Sequence, residues 1–165
     1  MLRVAGAFIL LKLHDKIKTV EKDFIEICKL CLLSLESGDT IFLEVTMKKI
    51  LIIDDETQIC EMMADLFESR DFEVTVAHSG NQGAIAFKDN DFDLAISDVR
   101  MPDGDGFDFA KQVEEIDPNF KKIIFVTGYL DIETTPIPVN VSKFFKKPVR
   151  FKELVAYVDE LLGEN

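Results

Sequence analysis

Beyond Met47 the chain alternates between two hydrophobic periods. Ile50-Leu51-Ile52-Ile53, Leu94-Ala95-Ile96 and Ile123-Ile124-Phe125-Val126 are continuous apolar runs, as expected of strands covered on both faces. Phe72, Val74 and Val76 alternate with polar residues, the pattern of a half-buried strand nearer a sheet edge. Phe144-Phe145 lies in a short fifth run. Between the runs, Ile59, Met62, Met63, Leu66 and Phe67 recur at the spacing of one helix face. Residues 81–88 read as a weaker helix, and Ala110, Val113 and Ile116 mark a third that ends before Pro118. Phe151, Leu154, Val155, Val158, Leu161 and Leu162 form the stripe of a closing helix.

This is a βα unit repeated five times. Such alternation predicts an α/β fold, a doubly wound parallel sheet with helices on both faces. The fourth helix is the weak one. Pro136 and Pro138 interrupt residues 129–143, so that helix is expected to be short or irregular, at most one turn near residues 131–134.

Residues 1–46 fall outside the repeat and read as an N-terminal extension. Residues 4–13 are apolar but carry Lys12 and are too short to span a bilayer. Arg3 before them gives a leader-like flavour without a small-residue cleavage site. Val20, Phe24, Ile27, Cys31 and Leu35 could line a helix, and residues 41–45 a strand. Met47-Lys48-Lys49 also looks like a natural start, so a mis-assigned start codon is the competing expectation.

The net charge of −12 argues against a nucleic-acid surface and against charge-driven binding to anionic lipid. Cys28 and Cys31 have redox or zinc spacing, but no second Cys pair or nearby His completes a site. With Cys60 they make an odd count, unlike a secreted disulfide framework, and buried thiols are expected.

Five polar residues sit at or beyond strand ends: Asp54, Asp55, Asp98, Thr127 and Lys147. In an open parallel sheet the carboxyl ends of the strands are where ligands bind. The pattern thus gathers three carboxylates, a hydroxyl and an ammonium at one sheet edge. Close carboxylates repel by about 4 kcal/mol per pair at an effective dielectric near 20. A hard divalent cation such as Mg²⁺ relieves this, leaving Lys147 and Thr127 to hold an anion beside Asp98. Each residue has an ordinary explanation as a cap, a turn or a surface lysine, and Glu56 reads as a solvated first-turn acid. It is their recurrence after strands one, three, four and five that is improbable. Lys146 should point away from Lys147 because strand side chains alternate. Asp103, Asp105 and Glu114 have calcium-loop offsets, but Phe107 and Asp108 stand where that motif needs an oxygen ligand and a glycine. Asp105 reads as the cap of the third helix.

On these residues, with Met101-Pro102, Asp105-Gly106 and Lys147-Pro148, residues 47–165 resemble the receiver domain of two-component response regulators. The resemblance implies a flavodoxin-like five-stranded sheet of order 2-1-3-4-5, akin to single-domain chemotaxis-type receivers. It implies that Asp98 accepts a phosphoryl group from a sensor histidine kinase or phosphotransfer protein. Asp55 and Asp98 would ligate Mg²⁺, Asp54 would act mainly through water, and the Arg100 backbone carbonyl would complete the protein ligands. Lys147 would pair with a phosphoryl oxygen, while Thr127 and Phe144 would form the switch. The implied output is a changed protein–protein interaction in the cytoplasm. There would be a downstream protein target, no nucleic-acid contact, no membrane span, and room for a phosphorylation-dependent homodimer. The chain would be a signalling domain catalysing only its own phosphorylation and slow dephosphorylation. No output domain is expected after Leu162. Gly104 replaces the family's usual bulky apolar residue, which is expected to loosen that loop, and Tyr129 joins Arg100 at positions that tune dephosphorylation.

Two other classes share part of this pattern. A Mg²⁺-dependent hydrolase with an aspartyl-phosphate intermediate normally has a second Asp where this chain has Arg100. A flavin electron carrier wants a hydroxyl- and glycine-rich loop where this chain has Asp54 and Asp55.

Overall fold

The computed structural model describes residues 47–128 and 137–163. All of them belong to one unit, Thr46–Asn165. Five strands, β1 (Lys49–Ile53), β2 (Glu73–Ala77), β3 (Leu94–Ser97), β4 (Ile123–Thr127) and β5 (Val141–Lys146), form one sheet. Its order is β2-β1-β3-β4-β5 and every pairing is parallel. Among the described residues the helices are α1 (Thr57–Glu68), α2 (Gly80–Asp89), α3 (Gly106–Ile116) and α4 (Phe151–Leu162). The readings of residues 1–46 and of a short helix near residues 131–134 lie outside the described residues.

The continuous apolar runs divide by parity. Leu51, Ile53, Ala95, Ile123 and Phe125 pack on one side with Ala84 and Phe87 of α2 and Phe109, Ala110 and Val113 of α3. Ile50, Ile52, Leu94, Ile96, Ile124 and Val126 pack on the other side with Cys60, Met63 and Phe67 of α1 and Leu154 and Val158 of α4. Burial on both faces is why these strands carry no polar alternation.

Three stripe positions are corrected. Met62, Ile116 and Val76 are exposed. Adjacent residues on a helix lie about 100° apart, so Met62 and Met63 cannot both face the sheet. Met63 does, in line with Cys60 and Phe67. In α3 the buried line is Phe109, Ala110 and Val113, which turns Ile116 outward. Val76 lies on β2, an edge strand with one neighbour.

The β4–β5 pairing contains a bulge. Ile123 is opposite Val141 and Ile124 opposite Lys143, so Ser142 is the extra residue. Its Oγ donates to the Ile123 carbonyl at 2.9 Å. The bulge reverses the parity of β5, and Val141 and Phe144, three apart, both pack on the α2–α3 side. Phe145 packs on the other side, against Tyr157 of α4.

Candidate functional site

Because every strand runs the same way, residues just past the strand ends share one edge. The backbone ladder continues a step beyond the strands there. The Asp98 N–H donates to the Ile53 carbonyl at 2.8 Å, Asp54 N–H to Ala77 at 3.2 Å and Lys147 N–H to Thr127 at 2.9 Å. These bonds fix the backbone from which the polar side chains project.

The side chains converge. One oxygen from each of Asp54, Asp55 and Asp98 lies within 4.8 Å of the other two. Asp54 and Asp98 are buried, and Asp55 is exposed. Lys147 Nζ donates to Asp98 Oδ2 at 2.6 Å and to Asp54 Oδ2 at 2.8 Å. The other Asp54 oxygen accepts the Glu56 N–H at 2.9 Å. Asp98 Oδ1 accepts the backbone N–H groups of Val99 and Arg100. Thr127 is buried at the end of β4, and Lys146 is exposed.

Burial works against the Lys147 ammonium, but its hydrogen bonds to Asp54 and Asp98 outweigh it and raise its pKa above the ordinary value. Lys147 is therefore a cation throughout the physiological range. Burial pushes the Asp54 carboxyl up, against the opposing pull of Lys147 and of the Glu56 N–H, and the Asp98 charge adds to the rise. One ammonium thus serves two buried carboxylates. With Asp55, three carboxylates face one ammonium and two negative charges are left over. The donor set is all oxygen and its excess charge is that of a divalent cation, so the residues present fit Mg²⁺.

Three neighbours border the pocket without a sequence spacing that marks them. Glu56 is solvent-exposed as expected, and its Oε1 stands 3.6 Å from Lys147 Nζ. Cys60 and His78 sit under Asp54, with Cys60 Sγ 3.2 Å and His78 Nδ1 3.3 Å from its carbonyl oxygen. Burial, then the charge of Asp54, pushes the Cys60 thiol up to about 11, so it stays protonated at neutral pH. The buried-thiol expectation holds for Cys60, while Cys28 and Cys31 lie outside the described residues.

Asp105 caps α3 as expected, accepting the Asp108 N–H at 2.8 Å. Gly104, expected to loosen its loop, also makes a contact there. Its carbonyl accepts the Gly80 N–H at 2.8 Å, so the loop tip is tied to the start of α2. Phe144 is half-buried, its ring centroid 5.3 Å from that of Phe125.

Comparison with known proteins agrees with this geometry. The response regulator receiver domain family matches residues 50–159. The response regulator receiver protein CpdR of Brucella abortus is 29% identical over 119 residues, covering 70% of this chain and 98% of CpdR. The response regulator SaeR of Staphylococcus aureus is 31% identical over 120 residues, covering 70% of this chain but only 51% of SaeR. The crystal structure of response regulator TrrA from Thermotoga maritima, in complex with Mg²⁺-BeF, matches with a TM-score of 0.64 and 28% identity, covering 70% of this chain and all of TrrA. A parallel sheet of order 2-1-3-4-5, an acidic pocket closed by a lysine at its carboxyl edge, and these matches place the chain in the receiver-domain family of two-component response regulators.

Proposed function

We propose that Asp98 is the phosphoacceptor and that the chain takes a phosphoryl group from a phosphohistidine on a sensor kinase or phosphotransfer protein. The observation that carries this is Lys147, whose Nζ is bonded to Asp98 within the only three-carboxylate cluster among the described residues. In the transfer, an Asp98 carboxylate oxygen forms the new O–P bond. The P–N bond breaks as its electron pair returns to the imidazole ring. Catalysis of such a step is mostly positioning and charge. Lys147 holds a phosphoryl oxygen, and Thr127 offers its hydroxyl to another. Asp54, Asp55 and Asp98, with the Arg100 backbone carbonyl, would hold Mg²⁺, which when bound supplies positive charge against the phosphoryl oxygens. The hydrolase alternative has nothing in its favour, since Arg100 stands where that class has its second Asp.

Receiver domains are signalling domains that interact with histidine kinases or phosphotransfer proteins. For this chain we read the output as a change in protein contacts. Thr127 moves toward the phosphoryl group, and Phe144, poised over Phe125, packs inward behind it. The partner is a protein target, with a phosphorylation-dependent homodimer as a further form. The proposed catalysis is limited to the chain's own phosphorylation and slow dephosphorylation. No helix among the described residues is long and apolar enough to cross a membrane, and we place the chain in the cytoplasm with its kinase partner.

The metal assignment is tested by melting. A ligand bound only by the folded state adds about 2.7 kcal/mol at a hundredfold excess over its Kd. Mg²⁺ is therefore expected to raise the Tm of the wild type. Asp55 is exposed, so Asp55→Ala should fold normally and lose that response. Equal Mg²⁺ stabilisation in both proteins would remove Asp55 from the ligand set. We also propose that residues 47–165 are the receiver unit. A chain starting at Met47 should fold and accept phosphate as the full chain does, and insolubility or lost uptake would make residues 1–46 structural.

A further inference from the structure

The receiver resemblance expects a bulky apolar residue where this chain has Gly104. The loop's attachment has passed instead to polar contacts with α2. Asp103 and Gly104 have φ of +60° and +90°, a left-handed stretch that turns both carbonyls toward that helix. The Gly104 carbonyl accepts the Gly80 N–H, and a Cβ on Gly80 would stand 2.6 Å from that oxygen, so the approach requires glycine there. The Asp103 carboxylate accepts from Asn81 Nδ2 at 3.0 Å and from Ser79 Oγ at 3.3 Å. Ser79 is in turn the cap of α2, its Oγ accepting the Gln82 N–H.

The other end of the loop is tied to itself. Gly106 N–H donates to the Val99 carbonyl at 2.8 Å, and Asp98 Oδ1 accepts from Val99 and Arg100. The segment from Asp98 to Gly106 therefore has one anchor at its base and one at its tip. The tip anchor made by side chains is the Asn81–Asp103–Ser79 group.

We propose that Asn81 is a positioning residue for the phosphoacceptor loop: acting through Asp103, it replaces the missing apolar anchor and holds Asp98 and the Arg100 carbonyl in the geometry that binds Mg²⁺. This rests on the reading of Asp98 as acceptor and metal ligand. The hydrogen bonds of Asn81 go to Asp103 and not to Asp54, Asp55, Asp98 or Lys147, so its effect runs through loop order. Asn81 and Asp103 are both exposed, which keeps the effect moderate.

The test uses the full chain as wild type, Asn81→Ala, and the exchanged pair N81D/D103N. The exchange keeps the charge and restores the bond with donor and acceptor reversed. Mg²⁺ affinity is read by calorimetric titration, loop order by amide exchange over residues 99–105, and fold by Tm without Mg²⁺. Asn81→Ala should raise the Mg²⁺ Kd about fivefold, the size of a typical net hydrogen-bond contribution and below that of a buried bond to a charged group. Exchange in the loop should quicken, the metal-free Tm should hardly move, and the exchanged pair should return toward wild type. An unchanged Kd and unchanged exchange in Asn81→Ala would overturn the proposal. So would a raised Kd that tracks a fallen metal-free Tm and is not recovered by the exchanged pair, since that is a structural role. If the Kd responds as expected but wild type takes up no phosphoryl group, the loop role stands and the function proposed for Asp98 fails.

Discussion

Asp98→Asn should take up no phosphoryl group from a small phosphodonor under conditions that fully load the wild type, while melting cooperatively. The substitution removes the nucleophilic carboxylate and keeps the side chain's shape. Its Oδ1 can still accept the N–H groups of Val99 and Arg100, so the loop keeps its geometry. Lys147 keeps its 2.8 Å partner, Asp54. One of two buried carboxylates sharing that ammonium is gone, and relief of their repulsion offsets the lost ion pair. The variant is therefore expected to melt close to the wild type without Mg²⁺ and to respond less to added Mg²⁺. Uptake is read by intact mass. Labelling of the variant at the wild-type rate would place the acceptor elsewhere.

Phe87→Ala should be among the most damaging single changes away from the site. Phe87 lies on the inner face of α2, and its ring meets three others: Phe120 at 4.8 Å, Phe92 at 6.2 Å and Phe109 at 6.3 Å between centroids. Truncating a buried Phe costs about 3–5 kcal/mol, because the lost transfer energy is joined by a cavity that neighbours cannot fill. That is a large part of the roughly 5–15 kcal/mol that holds a domain together. Urea unfolding should show a much lower midpoint at similar slope. On the same helix Ile85 is 64% exposed, and Ile85→Ala should stay within about 0.5 kcal/mol of wild type. If the two variants unfold alike, the α2–α3 face is not packed as described.

The sheet was legible because its inner strands are covered on both faces, which writes them as unbroken apolar runs such as Ile50-Leu51-Ile52-Ile53. The acidic pocket was legible because parallel strands bring their far ends together, so Asp54, Asp98, Thr127 and Lys147 needed only to follow strands. Helix faces were less so. Periodicity in α1 admits Met62 or Met63, and only the contact with the sheet chooses Met63. The bulge at Ser142 leaves no mark in hydrophobic pattern, yet it decides that Phe144 joins Val141 on one face and Phe145 turns to Tyr157. His78 and the Asn81–Asp103 pair carry no mark in the sequence for the same reason. Loop and helix-end geometry brings them in, and no period or spacing encodes it.

The most direct test is to find which residue carries the phosphoryl group. The full-length wild type is incubated with Mg²⁺ and a small phosphodonor, trapped, digested and mapped by mass spectrometry. The geometry of Lys147, Asp54 and Asp98 predicts one phosphoryl group per chain, on Asp98, and none when Mg²⁺ is chelated. A label on any other residue, or equal uptake without Mg²⁺, would contradict it.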